Sequence, residues 1–204
     1  MQFDPHHYPY HSKRTVTYAR RGMVATTQPL AAEAGLQMLK QGGNAVDAAI
    51  ATAACLTVLE PNSNSIGGDT FAIVWMNGNL YGLNASGLAP EAISIEAVKQ
   101  AGYDHIPDLG MVPVMVPGTP AAWAALSKRF GKLKMTEVLA PAIEYAERGF
   151  PLSPTIAAFW NLFAAKHHNQ LADSLFEPWR QLYMPNGQTP QAGEMWRSPD
   201  HAAT

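Results

Sequence analysis

A single cysteine, Cys55, is all the chain of 204 residues contains, so an intrachain disulfide is excluded. Charge is also scarce: 15% of residues are Asp, Glu, Lys or Arg, and the formal net charge is −2. Without a basic field to attract polyanions, nucleic acid and anionic membrane surfaces are not expected partners. The amino-terminal stretch MQFDPHHYPYHSKRTVTYARR has basic residues but lacks the run of about seven apolar residues that a secretory signal needs, so a cytoplasmic location is the expectation. Neither a G-x-G-x-x-G nor a Walker sequence occurs, which weakens any nucleotide role for the Gly67-Gly68 pair. No metal and no cofactor are expected. His6, His7 and His11 imitate a metal tract, but no second ligand cluster accompanies them and they read as part of a tail. His167 and His168 are adjacent, project in different directions and make a poor metal pair. Internal repeats and low-complexity runs are absent.

Against these absences stands a hydrophobic content of 47%, enough for the core of one ordinary domain. The organising stretch is Gly22 to Phe71. Pro29 suits a first helical position and Gly42-Gly43 supplies a left-handed stop, which predicts a helix over roughly 29–41. Asn44 caps a second helix whose Asp47 favours the positive end of the dipole. From Asp47 to Glu60 no charge occurs, and Ala48, Ala49, Ala51, Ala53 and Ala54 ring the helix with small side chains. A helix apolar on every side is buried, and about fifteen residues at about 1.5 Å each are too few to span a bilayer. On that reading Ala49→Asp or Ala53→Asp would each bury an unpaired charge and prevent folding. Cys55, inside this helix, reads as core filling rather than a nucleophile, because an apolar setting raises a thiol's pKa and blocks access.

Pro61 ends that helix, and NSNSIGGD is a turn segment in which Gly67-Gly68 are able to take positive φ. TFAIVWM and NLYGLNAS flank Asn77-Gly78, a strong hairpin signal. Phe71, Ile73 and Trp75 share one face of the first strand, and Ala72, Val74 and Met76 the other. Both faces are apolar, so cover on both sides is expected. Further on, a modest helix is expected over about 93–101, a short extended piece in VPVMVPG, and a helix in TPAAWAALSKRFG with Ala121, Ala125, Leu126 and Phe130 on one face. MTEVLAPAIEYAERG predicts a helix bent near Pro141, with Val138, Leu139, Ala142, Ile143 and Ala146 facing the core. Another helix is expected from beyond Ser153 to about His168, followed by a Pro- and Gly-rich tail that is mostly loop. The fold class is therefore α/β (α+β), with helices packed on a sheet containing the 70–84 hairpin, residues 1–20 forming an extension and 21–204 the domain.

The residues do not by themselves assemble an active site. Ser63, Ser65 or Ser86 could act as nucleophile with His105 as base and Asp69 or Asp104 as orienter, but triads are defined by geometry, and serines in turn segments are ordinarily turn formers.

Taken together, GMVATTQPLAAEAGLQMLKQGGNAVDAAIATAACLTVLEPNSNSIGGDTF, VMVPGTPAAWAALSKRFGKLKMTEVLAPAIEYAERGFPLSP and MPNGQTPQAGEMWRSPDHAAT resemble the gamma-glutamyltranspeptidase family, which includes cephalosporin acylase-like members, over about Arg21 to Thr204. The resemblance implies an N-terminal nucleophile hydrolase with an αββα sandwich, here partial. It implies a proenzyme that cleaves itself before a threonine, whose hydroxyl attacks an amide while its own α-amine serves as base. Backbone amides would hold the oxyanion, and water or an amino acid would accept the acyl group. Thr26-Thr27, followed by Gln28-Pro29, is not the family's nucleophile setting. The catalytic threonine is thus expected outside this chain, on a C-terminal half or small subunit that would be its partner, and no catalytic residue is expected within it. The resemblance accordingly implies the front part of a large subunit, inactive alone, with a small-molecule amide as substrate. The alternative is a non-catalytic structural or interaction subunit that keeps the scaffold. The family binds the substrate carboxylate with an Arg ahead of an Ala-Pro pair. Aligning on Ala89-Pro90 puts Ser86 in that place, and Leu88 does not restore the charge. Asn84 and Ser86 are therefore the candidate substrate-binding residues, as neutral polar groups lining an acyl pocket; the bland alternative is that they end the strand and form its turn.

Overall fold

The computed structural model describes residues 16–204, so the histidines at 6, 7 and 11 lie outside the described residues. Helix α1 spans Pro29–Lys40 and α2 Ala45–Leu59. Pro29 opens α1 as the sequence predicts, and Gly42 follows it with φ +95°. The cap, however, is Gln28, whose side chain accepts from the amides of Leu30 and Ala31. At α2 the Asn44 and Asp47 side chains form a reciprocal capping box. Asp47 does more than cap. Fully buried, its carboxylate also accepts from the amides of Lys132 (3.1 Å) and Leu133 (3.3 Å).

The hairpin follows: β1, Thr70–Met76, pairs antiparallel with β2, Asn79–Ala85, in the register Met76↔Asn79 to Thr70↔Ala85. Asn77 and Gly78 both have positive φ, 53° and 77°, the type I′ geometry that matches strand twist. A long excursion then carries α3, Ile95–Gln100, before α4, Thr119–Phe130, and α5, Met135–Arg148. Helix α5 runs unbroken through Pro141, which is buried. Two short strands, β3 (Phe150–Pro151) and β4 (Met195–Trp196), pair antiparallel. Between them lie α6 (Pro154–Lys166), α7 (His168–Leu171) and α8 (Glu177–Tyr183), and α9 (Pro199–Ala203) follows. The core joins α1, α2, α4 and α5 to an aromatic group built on Phe150, Trp160 and Trp196.

Several expectations are corrected. The hairpin is covered on one face only: Ala72, Val74, Met76 and Leu83 pack on the core, while Phe71, Ile73 and Trp75 are 63%, 81% and 69% exposed. Among the described residues no element packs against that second face. Helix α2 is not buried all round either. Ala45 and Ala49 are exposed and Ala53 half-buried, an i, i+4 stripe that faces a groove beside the free edge of β1. On α4 the buried residues are Thr119, Ala122, Trp123 and Leu126, with Ala121 and Ala125 outside; on α5, Ile143 is exposed. Finally, the tail is not mostly loop, since Pro178 sits in the first turn of α8, where a missing amide costs nothing.

Three stability outcomes follow from burial. Ala51, fully buried, cannot accept a carboxylate: Ala51→Asp is expected to lose about 3 kcal/mol or more, whereas Ala49→Asp should fold and lose about 1 kcal/mol or less in urea titrations. Asp47→Ala leaves three backbone amides without their acceptor and should cost about 2–4 kcal/mol in the same measurement.

Candidate functional site

Three segments meet where β1 begins and β2 ends. The chain leaves β2 at Ala85 and returns at Thr119, and the amide of Val116 donates to the carbonyl of Leu88 (2.9 Å). This neck requires glycine on both sides. A Cβ on Gly87, whose φ is +78°, would lie 2.1 Å from the Val116 carbonyl oxygen, and one on Gly118 would lie 2.0 Å from that of Ala85. The amides of Gly118 and Thr119 both donate to the Gly68 carbonyl, at 3.0 and 3.1 Å. The Thr119 hydroxyl reaches the Asp69 carbonyl at 2.9 Å and lies 2.9 Å from the hydroxyl of Thr70.

Beside this junction is a polar cleft of about 380 Å³ whose walls include Asn62, Ser63, Ser65, Asp69, Thr70 and Thr119. Its far wall is the turn after α2, which Glu60 organises. The Glu60 carboxylate accepts from the hydroxyl of Thr27 (2.8 Å) and from Asn64 Nδ2 (3.5 Å), tying the Thr26-Thr27 segment to the turn. Nothing in the sequence marked Glu60, Gly87, Gly118 or Thr119 for this role, because each acts on a partner distant along the chain.

Asn84 and Ser86 lie at the mouth of the hairpin, both exposed. The Ser86 amide donates to Asn84 Oδ1 at 3.0 Å, a turn bond, and the Ser86 hydroxyl is 3.4 Å from the Gly87 carbonyl. Asn84 is opposite Phe71 in the register, on the open apolar face. Its Nδ2 donors have no partner among the described residues, so the turn bond uses only the oxygen of the amide.

The serine triad does not assemble. Ser63 accepts from Asn62 Nδ2 (2.9 Å), and Ser65 from the amide of Gly67 (3.0 Å). His105 pairs with its neighbour Asp104 in an exposed loop and bonds to no serine. Gly67 and Gly68 do not form an anion cradle: neither has positive φ, and both amides are turned back onto Ser65. His167 Nδ1 is bonded to Gln170 at 2.8 Å, and no group of three metal-ligating side chains occurs among the described residues. Cys55 is fully buried, and desolvation pushes its thiol up to about 12. His201 Nε2 lies 3.1 Å from the Thr57 hydroxyl, and burial lowers its pKa.

Helices stacked on one face of an antiparallel hairpin, with a polar cleft at its mouth, define an α+β scaffold. Residues 31–204 match the sequence model of the family described as Gamma-glutamyltranspeptidase, and the chain belongs to that family. The glutathione hydrolase proenzyme of Pseudomonas aeruginosa is 40% identical over 136 residues, 65% of this chain and 24% of that protein. The acylase ACY 1 proenzyme of Pseudomonas sp. (strain V22) is 37% identical over 195 residues, 90% of this chain and 34% of that protein. Among solved structures, cephalosporin acylase from Bacillus halodurans is similar with a TM-score of 0.92 and 53% identity over 100% of this chain and 38% of that one. The chain thus spans about a quarter to two fifths of the length of these relatives.

Cys55 gives a test of the burial of α2. An unfolded thiol ionises near 9.0 but the folded one holds its proton to about 12, so the stability it contributes is complete below pH 9 and falls as pH rises toward 12. Iodoacetamide at pH 8.5 should leave the native thiol unlabelled and label it fully in denaturant, read by mass spectrometry.

Proposed function

We propose that this chain is the amino-terminal part of a large subunit in an N-terminal nucleophile amidohydrolase or acyltransferase, with its attacking threonine in polypeptide beyond these residues. The observation that carries the reading is the hairpin's open face. Phe71, Ile73 and Trp75 form an apolar surface that water solvates poorly, and it ends at Asn84, at the mouth of the hairpin. A second sheet laid on that face by the partner polypeptide would complete a sandwich and bring a nucleophile to the open end. Ser63 and Ser65 are not bonded to His105, and the Thr57 hydroxyl beside His201 donates to the Ala54 carbonyl at 2.7 Å.

In the reaction so proposed, the threonine oxygen attacks the amide carbonyl, its proton passes to the α-amine and then to the leaving amine, and an acyl-enzyme forms. Water then releases the acid, or an amine acceptor takes the acyl group. Asn84 and Ser86 are proposed to bind the acyl part through neutral hydrogen bonds. Ser86 stands where a guanidinium would grip an α-carboxylate, and charge-assisted bonds contribute roughly 1.5–3 kcal/mol. A γ-glutamyl group is therefore a poor substrate, and an acyl group without an α-carboxylate a better one.

The full-length protein should hydrolyse γ-glutamyl anilide slowly, and Ser86→Arg should raise its kcat/KM about tenfold or more while lowering turnover of a simple acyl anilide. Rapid γ-glutamyl turnover that is indifferent to substitution at 84 and 86 would overturn the specificity. Absence of any acyl-enzyme in mass spectra with reactive esters would favour a non-catalytic scaffold instead.

A further inference from the structure

Helix α6 places Trp160 and Phe163 three residues apart, and α8 places Trp179 and Tyr183 four apart, so each helix presents two rings on one side. The two pairs face each other. Trp160 and Tyr183 have centroids 5.3 Å apart, Trp179 and Tyr183 5.4 Å, and Phe163 and Trp179 5.7 Å. None of these pairs is stacked flat, so the rings stand at angles of 43° to 63° and form walls. Between them is a half-open pocket of about 230 Å³, closed on another side by Pro61 and Asn62.

The wall at Pro61 and Asn62 is electronegative. Pro61 and Asn62 directly follow the carboxyl end of α2, where the helix dipole leaves partial negative charge and no basic residue occupies the last turn. Glu60, 9% exposed, caps that end and is bonded only to neutral groups, Thr27 and Asn64; no cation pairs with it among the described residues. Arg180, beside Trp179, is held by Glu177 and by the carbonyls of Leu171 and Asp173, so its charge is engaged outside the box. No lysine or arginine lines the pocket.

Aromatic faces carry negative quadrupole potential and bind cations best when several enclose a desolvated one. We infer that the box formed by Trp160, Phe163, Trp179 and Tyr183 is a binding site for a small organic cation of the quaternary or trimethylated ammonium class. A quaternary head needs no hydrogen-bond acceptors, which suits walls that are mainly aromatic rings. The site lies apart from Asn84 and Ser86 and does not rest on the acyl-transfer reading.

Choline and the uncharged alcohol in which carbon replaces its nitrogen have the same shape and differ in charge. In calorimetric titration of the full chain, choline should saturate one site, and the neutral analogue should bind about tenfold more weakly or worse. Trp179 is half-buried and outside the main core, so Trp179→Ala should fold and weaken choline binding about tenfold, with Trp179→Phe intermediate. Proton NMR of the wild-type chain gives a readout that needs no variant: the choline methyl signal should shift upfield from ring currents. Equal binding of the two compounds, unchanged binding by Trp179→Ala, or no choline binding would each overturn the inference.

Discussion

The buried carboxylate of Asp47 is the constraint on which the architecture depends. It closes the capping box with the amide of Asn44 (2.8 Å) and reaches across to the amides of Lys132 and Leu133, 85 and 86 residues away. Asn44 adds its own long bond, from Nδ2 to the carbonyl of Phe130. The connection between α4 and α5 is therefore stitched to the start of α2. A charge taken out of water is costly unless hydrogen-bonded, and here backbone donors meet that need with no counter-ion. The same bonds supply partners for amides that a turn leaves idle, so losing the carboxylate would damage both sides.

Around that anchor the helices come close because small residues allow it. A Cβ on Gly35 of α1 would lie 2.3 Å from the Thr52 hydroxyl of α2, so α1 reaches a separation that any side chain there would forbid. The glycines at 87 and 118 do the same for the neck of the excursion. In both places backbone meets backbone or a short side chain, and shape is decided by what is absent from Cα. The polar cleft exists because this neck brings the turn after α2 to the mouth of the hairpin.

Much of this was legible in the residues. Pro29, the Gly42-Gly43 stop, the Asn44 cap, the Asn77-Gly78 turn and the apolar run of α2 state their roles locally, through fixed φ, permitted positive φ, side-chain capping and periodicity. Cys55 as core followed from its neighbours in sequence. Where reading by pattern failed, the competing influence was tertiary. The alternation in β1 is apolar on both sides, but the described helices cover only one. Helix α2 has alanines all round, but only three-dimensional packing could show that Ala45 and Ala49 face a groove. In the tail, a scatter of prolines and an Asn-Gly pair concealed α8, whose aromatic ring contacts with α6 are long-range.

What the amino-acid order determined by itself was the longer elements, α1, α2, the hairpin, α4, α5 and α6, their class and the family to which they belong, because caps, turns and hydrophobic period act within a few residues. The site was decided only by the folded chain. Glu60 against Thr27, Gly68 against Gly118, and the four rings of α6 and α8 are pairings between positions whose residue types are individually ordinary. Nothing local encodes such a pairing, since its free energy arises only when distant segments exclude water together.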